Sequence, residues 1–418
     1  MKNYVLFILA VLAFSCTEQT GEKAGENPGN QIVIGTTDSI YSKILGEERK
    51  ILVYVPDTSN SIYNPRKFPV VYLLDGYSHF ASVVSMIQQL SAAKGNDVLP
   101  EMIVVGIPNT DRTRDLTPTH VTHSIYISDS SMLSTSGGGE KFTSFIQHEL
   151  MPHIDSLYPT APYRMLIGHS LGGLTAVNTL LHHTDLFNSY IAIDPSMWWD
   201  DRKLLHQADT LLKENNFEHR SLYLSIANTM NPGMDTMRVR KDTFELTMHI
   251  RSILKFKDEL ARNSQNGLKW KYDYYKDDSH GSVPFISEYS GLRFIFGFYR
   301  MPSTNKFLDK DYPVDSCLAT LNRHYRKVSE NMGYTVLPDE SLVNGLGYEC
   351  INEKQFDKAY AFFKLNIENY PKSFNSHDSM GDYYLAKNDT AGAIDSFRKA
   401  LALKDYPETR KKLEKLIK

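Results

Sequence analysis

Gly168-His169-Ser170-Leu171-Gly172 is a G-x-S-x-G pattern and the strongest chemical signal in the chain. The apolar run Met165-Leu166-Ile167 precedes it, and an apolar helical period follows it. Because glycines leave room for a sharp strand-to-helix turn, such a turn raises the serine hydroxyl clear of the sheet and directs helix N–H groups toward it. We therefore predict that Ser170 is a nucleophile.

A serine hydroxyl needs a neighbouring base, and His280 is the histidine best placed to provide one. It follows the last predicted strand, residues 270–275, in a loop that leads to the helix start Ser282-Val283-Pro284. Of the 14 histidines it is the only one that lies after that strand and inside the predicted α/β region. The chain order serine, acid, histidine therefore predicts His280 as the general base.

The sequence offers several candidates for the acid that orients the histidine. It should follow the seventh predicted strand, residues 222–227, and the first carboxylate there is Asp235, which we take as the candidate. Asp242 and Glu245 come later, at the start of the next helix. A third possibility is a Ser–His dyad in which Asn228 or a backbone carbonyl holds the imidazole.

Two backbone N–H groups are predicted to bind the oxyanion. The serine turn supplies that of Leu171. The second comes from the loop after the third strand, where Gly76 lets the chain turn so that the N–H of Tyr77 faces the site.

Three side chains are candidates for contacting a substrate. Trp198 and Trp199 follow the sixth predicted strand and would form an aromatic wall, unless one of them packs beneath the sheet edge. Arg112 would bind an anionic group, or pair with Asp111 or Asp115 and shape its own loop. No cluster has metal-ligand spacing, so neither a metal nor a cofactor is expected.

Apolar strands and helical periods alternate around these residues. The predicted strands cover residues 39–44, 50–55, 69–74, 102–107, 164–168, 189–193, 222–227 and 270–275. The predicted helices cover residues 140–158, 171–182, 202–213, 239–262 and 283–298. This order predicts a three-layer α/β domain over residues 32–300, with a mostly parallel sheet and an antiparallel edge hairpin formed by the first two strands.

The C-terminal region repeats with a period of 34 residues. Gly347, Ala359 and Phe363 recur as Gly381, Ala393 and Phe397. The period predicts tetratricopeptide (TPR)-like helix pairs over residues 339–418 with a capping helix, after a connection over residues 301–338; a generic helical bundle is the alternative. Because two repeats are too few for independent stability, we expect them to pack on the α/β domain or the connection, and to offer a groove to a protein partner.

Residues 1–16 indicate an export signal. The run of ten apolar residues 5–14 would form a helix only about 15 Å long, too short to span a bilayer. Cys16 then resembles the lipobox of bacterial lipoproteins, although Ala13 stands where Leu is usual. We expect a lipid anchor at Cys16 on the periplasmic face or the cell surface, with residues 17–31 as a flexible tether; a plain secreted protein is the alternative.

The 418 residues carry 46 Lys plus Arg against 49 Asp plus Glu, a net charge of −3. A charge this close to balance disfavours nucleic acid as a partner. The 41% of hydrophobic residues is ample for a large core.

Five motifs together resemble the putative esterase family of α/β-hydrolases. They are Leu74-Asp75-Gly76, the segment 105–109 leading to residues 112–115, the Ser170 turn, Asp194-Pro195-Ser196-Met197-Trp198-Trp199, and Ser279-His280-Gly281-Ser282-Val283-Pro284. The resemblance covers residues 39–299 and implies Ser170 as nucleophile and His280 as base. It also implies the N–H groups of Leu171 and Tyr77 as the oxyanion hole.

The family includes feruloyl and acetylxylan esterases, esterase D, mycolyltransferases and ferric-siderophore trilactone esterases. Its acid is an Asp or Glu soon after the seventh strand, where this chain has Asn228, and some siderophore esterases in it use a Ser–His pair alone. The resemblance therefore implies a serine esterase that forms an acyl-enzyme with a carbohydrate-linked feruloyl or acetyl ester or a siderophore-type ester. Two further possibilities are an inactive scaffold that binds a partner through its repeats, and an acyltransferase.

Overall fold

The computed structural model describes residues 32–57, 66–91 and 96–417. The predicted export signal with Cys16 and the predicted tether over residues 17–31 lie outside these ranges. Within them, no helix has both the length and the apolar character needed to cross a bilayer.

Eight strands form one sheet, and every predicted strand is present, seven with shifted ends and the strand 189–193 with the predicted ends. They are β1 (Thr36–Ser42), β2 (Glu47–Tyr54), β3 (Phe68–Leu74), β4 (Ile103–Ile107), β5 (Thr160–His169), β6 (Ser189–Ile193), β7 (Ser221–Ala227) and β8 (Lys269–Tyr275). Their order is β1-β2-β4-β3-β5-β6-β7-β8. The predicted edge hairpin is confirmed, since β2 pairs antiparallel with both β1 and β4, and all other pairs are parallel.

Both faces of the sheet are buried, so the predicted three-layer α/β arrangement is confirmed. In β3, Val70, Tyr72 and Leu74 point into one hydrophobic core. Val71 and Leu73 point into a second core on the opposite face. This alternation is the two-residue period of a strand, here with apolar residues at every position because helices cover both sides.

The helices of the α/β part differ from the prediction in number and in several of their ends. They are α1 (Gly76–Ser91), α2 (Arg112–Leu116), α3 (Ser130–Ser134), α4 (Gly139–Phe145), α5 (Met151–Leu157), α6 (Leu171–His182), α7 (Trp199–Glu214), α8 (Met248–Arg262) and α9 (Val283–Ile295). The predicted helix 140–158 is α4 and α5 joined by a π-helical turn, and α1, α2 and α3 were not predicted. The predicted helix 239–262 begins only at Met248, because Asp242 accepts hydrogen bonds from Thr247 Oγ1 and Phe244 N and so stabilises a turn before it.

Six helices follow the α/β part, and the first four of them contribute side chains to a third core. They are α10 (Val314–Met332), α11 (Glu340–Asn352), α12 (Phe356–Asn369), α13 (Phe374–Ala386), α14 (Thr390–Leu403) and α15 (Pro407–Leu416). The repeated glycines lie against the repeated phenylalanines: a Cβ on Gly347 would meet the Phe363 ring at 2.5 Å, and one on Gly381 the Phe397 ring at 2.4 Å.

Helix α10 belongs to two cores. Cys317 and Leu321 near its start pack in the C-terminal helical core. Val328 and Met332 near its end pack in the second core of the α/β part. The C-terminal helices and the sheet therefore share helix α10, and the described residues from Gly35 onward belong to one compact unit.

The two glycines of α11 provide a test of this packing. Gly347→Ala should lower the free energy of unfolding by about 1–3 kcal/mol, because its Cβ overpacks the contact with Phe363. Gly345→Ala on the same helix meets nothing within 4 Å and should raise it by about 0.5–1 kcal/mol through helix propensity. Chemical denaturation of both variants measures the difference. A Gly347→Ala variant as stable as Gly345→Ala would contradict the close helix contact.

Candidate active site

Ser170 lies in a strained turn between β5 and α6. Its φ and ψ are 59° and −115°, outside the regions that side-chain-bearing residues prefer. The turn is tight, since a Cβ on Gly168 would come within 2.2 Å of the Gly172 carbonyl oxygen. The Ser170 N–H donates to the Ile193 carbonyl at the end of β6 (2.9 Å), and its Oγ lies 3.3 Å from Ser196 Oγ. The backbone therefore holds the hydroxyl at the carboxyl edge of the sheet.

Two neighbouring strands end in the same unusual way. Asp75 after β3 has a φ of 54° and Asp194 after β6 a φ of 40°. Because β3, β5 and β6 are adjacent and parallel, the three turns meet at one edge of the sheet. The ends of these three neighbouring strands therefore place Asp75, Ser170 and Asp194 close together.

Asp194 is fully buried and accepts three hydrogen bonds. Its Oδ1 accepts from the Ala227 N–H (2.9 Å). Its Oδ2 lies 2.6 Å from His280 Nδ1 and 2.8 Å from His249 Nε2. Burial alone would raise the pKa of the Asp194 carboxyl, but the charge and hydrogen bonds of His249 and His280 outweigh burial and lower it.

The contact with Asp194 sets the tautomer of His280. An ionised carboxylate only accepts hydrogen bonds, so the Nδ1 that faces it must carry the proton. Nε2 is then the basic nitrogen, and among the described residues it has no hydrogen-bond partner. The His280 ring lies 4.6 Å, centre to centre, from the ring of His169, the residue before Ser170. The free nitrogen therefore belongs to a partly exposed imidazole beside the serine turn.

The predicted acid Asp235 is not the partner of His280. Its side chain is exposed and accepts hydrogen bonds from the N–H groups of Met237 and Arg238. Asp194 takes its place because β6, the strand beside Ser170, ends in a carboxylate. In the sequence, the signal for Asp194 is its position directly after a buried strand. The prediction instead placed the acid after the seventh strand and therefore selected Asp235.

Asp242, Glu245 and Asn228 do not hold the imidazole either. Asp242 bonds to Thr247 and Phe244 within its own turn. Glu245 is exposed, and its backbone carbonyl accepts from Tyr126 Oη. Asn228 Nδ2 donates to the Lys276 carbonyl. These contacts shape the loops around His280 without touching its ring.

The N–H groups of Leu171 and Tyr77 lie in the first turns of α6 and α1, where a helix offers no internal acceptor. Both helix N-termini face the edge at which Ser170 lies, because both helices follow parallel strands at that edge. A Cβ on Gly172 would be 3.4 Å from Asp75 Oδ2, which shows how closely the two turns approach. The arrangement fits two donors converging on an oxyanion.

Comparison with known proteins identifies a family for this chain. The family model described as Putative esterase matches residues 42–277, more than half of the chain.

The chain belongs to the putative esterase family.

It is accordingly a carboxylic ester hydrolase. The chain is 28% identical over 289 residues to the ferri-bacillibactin esterase BesA of Bacillus subtilis, a match that covers 66% of this chain and 95% of BesA. It is 30% identical over 149 residues to the siderophore enterobactin esterase of Emericella nidulans, covering 33% of this chain and 49% of that protein. The structure is similar to that of an IroE-like serine hydrolase from Shewanella oneidensis, with a TM-score of 0.66, 28% identity, and coverage of 80% of this chain and 99% of that one.

Arg112 of this esterase does not point to a substrate as predicted. Its Nε and Nη2 donate to the two carboxylate oxygens of Asp75 (2.7 and 3.0 Å), and Nη2 also reaches the His169 carbonyl (3.2 Å). The alternative prediction, that Arg112 pairs with Asp111 or Asp115, is also wrong, because Asp75 accepts both of its charged hydrogen bonds. Arg112 therefore links the turn that bears Tyr77 to the turn that bears Ser170.

The two tryptophans form no open wall in the esterase. Trp199 is 2% exposed and donates from Nε1 to the Thr119 carbonyl (3.1 Å). Trp198 is 8% exposed and packs on Tyr126, with ring centres 4.5 Å apart. Burial, which was expected for at least one of them, thus holds for both, since both belong to the hydrophobic core on one face of the sheet. The large aromatic side chains that are exposed at the starts of α1 and α9 are Tyr77 and Phe285.

In the described part of the esterase, one group of side chains has the spacing of metal ligands. The donor atoms of Asp194, His249 and His280 lie within 4.8 Å of one another. Their N···O separations of 2.6 and 2.8 Å are those of charge-assisted hydrogen bonds, which already use the carboxylate oxygen that a metal would need.

His169 makes the stability of the esterase depend on pH. Burial and the neighbouring His280 lower the pKa of His169 to about 3, so its imidazole is neutral when folded. An unfolded histidine takes up a proton below about pH 6.5. The unfolded state then binds the additional proton, and the free energy of unfolding falls as the pH drops from 7 to 5.

Replacing this histidine tests the effect. The fall in the unfolding free energy between pH 7 and pH 5 should be smaller in His169→Gln than in the wild type by about 2 kcal/mol. Urea denaturation at both pH values measures it. The matched control His206→Gln removes an exposed histidine, which is solvated in both states, and should keep the wild-type difference. Equal pH dependence in His169→Gln and the wild type would contradict a buried neutral imidazole.

Proposed function

We propose that this esterase hydrolyses its substrate through an acyl-enzyme formed on Ser170. Ser170 Oγ attacks the ester carbonyl while His280 Nε2 takes the hydroxyl proton. The negative charge that develops on the carbonyl oxygen is bound by the N–H groups of Leu171 and Tyr77. His280 returns the proton to the leaving alcohol, and water then attacks the acyl-enzyme by the same route.

One observation carries this mechanism: the 2.6 Å contact between His280 Nδ1 and the buried Asp194 Oδ2. A carboxylate in this position keeps the proton on Nδ1, presents Nε2 as the base, and stabilises the imidazolium that forms when the base is protonated. We propose Asp194 as the acid, in place of a residue after β7. An inactive scaffold would have no need of this arrangement.

We propose a siderophore-type ester as the substrate, in preference to a feruloylated or acetylated carbohydrate. Two of the relatives are named for esters of this type, bacillibactin and enterobactin. Large apolar side chains are also exposed in the segments after β3, β4, β7 and β8, a distribution that suits a bulky aromatic acyl group. They are Tyr77, Ile125, Met237, Phe244, Leu246 and Phe285.

The predicted lipid anchor at Cys16 and the TPR-like use of the C-terminal helices remain predictions. We propose that an anchored enzyme meets its substrate at the membrane surface, and that the helix pairs α11–α12 and α13–α14 offer a surface to a protein partner. The 34-residue repeat of Gly and Phe contacts supports the second proposal.

The substrate proposal is tested with a panel of esters. The wild type should hydrolyse a catecholate trilactone with a higher kcat/KM than a feruloylated sugar or acetylated xylan. Ser170→Ala should lower the turnover of every ester by at least about 10³-fold and abolish labelling by a fluorophosphonate probe, because no nucleophile remains. Chromatography of the products measures both. Faster turnover of the feruloylated sugar would contradict the substrate, and an active Ser170→Ala variant would contradict the mechanism.

Two aspartates distinguish the proposed acid from the residue first predicted. Asp194→Asn should lower kcat by about 10²–10⁴-fold, because an amide can leave His280 in the wrong tautomer. Asp235→Asn should keep kcat within about two-fold of the wild type, because its exposed side chain caps only its own turn. Steady-state kinetics with p-nitrophenyl acetate compare the two variants, with melting temperatures as the control for folding. A larger loss in Asp235→Asn would overturn the assignment.

A further inference from the structure

Asp194 is held from a second side by an imidazole that the mechanism above does not use. His249 Nε2 lies 2.8 Å from Oδ2, the same oxygen that His280 contacts. The two rings are perpendicular, with an interplanar angle of 89° and centres 5.0 Å apart. Since the carboxylate only accepts, His249 must donate Nε2–H to it.

His249 is itself fixed in position. It lies 6% exposed in the first turn of α8, and its backbone N–H donates to Tyr126 Oη (2.8 Å). Tyr126 Oη lies within hydrogen-bond distance of the carbonyl oxygens of Glu245 and Leu246, in the turn before α8. The Tyr126 ring also packs edge-on against the His249 ring (6.2 Å, 68°). Tyr126, in the segment after β4, therefore holds both the backbone and the ring of His249 in place.

From this arrangement we infer that His249 is a positioning residue for catalysis: its Nε2–H holds the Asp194 carboxylate in the orientation that His280 requires. The inference rests on the proposed function. Among the described residues, the segment after β7 contributes no carboxylate to His280. Instead, His249 in α8, the helix after that segment, donates to Asp194, the carboxylate that follows β6. Within the part of the chain that the structure describes, His249 makes no hydrogen bond to Ser170 or His280, and its ring donates to Asp194 instead, so we assign its effect to Asp194.

The physical reason is the cost of a buried carboxylate. Asp194 has no exposed surface, so its charge is stabilised only by the three donors around it. Loss of one donor leaves an oxygen incompletely satisfied and free to rotate away from His280. At metal sites, partners that orient a ligand in this indirect way typically contribute about 10–100-fold, and we expect an effect of the same size here.

Two amide substitutions separate the hydrogen bond from the bulk of the side chain. The Nε2 of glutamine takes the place of the imidazole Nε2, whereas the shorter asparagine places its amide nitrogen near Nδ1 and does not reach Asp194. His249→Gln should keep kcat within about three-fold of the wild type, and His249→Asn should lower it by about 10–100-fold with KM nearly unchanged. Melting temperatures that are equal for the two variants exclude a difference in folding as the cause.

A double-mutant cycle with Asp194→Asn tests whether the effect passes through the carboxylate. In the Asp194→Asn background, His249→Asn should change kcat by less than about two-fold, because the group on which it acts is already lost. Equal losses in both backgrounds would overturn the inference. So would a His249→Gln variant as impaired as His249→Asn, or a His249→Asn variant as active as the wild type.

Labelling of Ser170 by a fluorophosphonate probe, run on the same proteins, separates this inference from the proposed function. A wild type whose Ser170 does not react would overturn the proposed function itself. A wild type and a His249→Asn variant that react at equal rates would overturn the role of His249 alone.

Discussion

The proposed active site depends on the hydrogen bonds that hold the buried carboxylate of Asp194. A desolvated charge is costly unless donors surround it, and here the donors come from three different elements: the end of β7, the first turn of α8 and the loop after β8. Satisfying this one side chain therefore requires all three elements to be in place together. The same contacts set the tautomer of His280, so the stability of the site and its chemistry have a common origin.

Ser170, the proposed nucleophile, is positioned by backbone geometry. Three adjacent parallel strands end in residues with positive φ, and the glycines beside Ser170 allow the contacts that such turns require. Arg112 joins two of these turns, because it bonds both to Asp75 and to the carbonyl of His169. The hydroxyl and the two helix N-termini are thereby fixed before a substrate arrives, which is the condition for electrostatic stabilisation of an oxyanion.

The C-terminal helices are joined to this scaffold through α10, which contributes side chains to the helical core and to a core of the sheet. Two helix pairs alone bury too little surface for independent stability, and packing against α10 adds buried surface. The shared helix packs in the core on the α1 and α9 face of the sheet, so the C-terminal helices need not cover the edge that carries Ser170.

The sequence by itself determined the succession of strands along the chain, the serine turn with the histidine that follows it, and the helix repeat. Each of these depends on a local pattern, namely apolar periodicity, glycine spacing or a 34-residue recurrence. Only the tertiary structure decided which acid meets His280, since Asp194 and His280 are 86 residues apart and several carboxylates follow the later strands. It likewise decided that Arg112 pairs with Asp75 and that both tryptophans are buried. Partner choice of this kind depends on how strand ends and loops approach one another in space, and no local pattern encodes that distance.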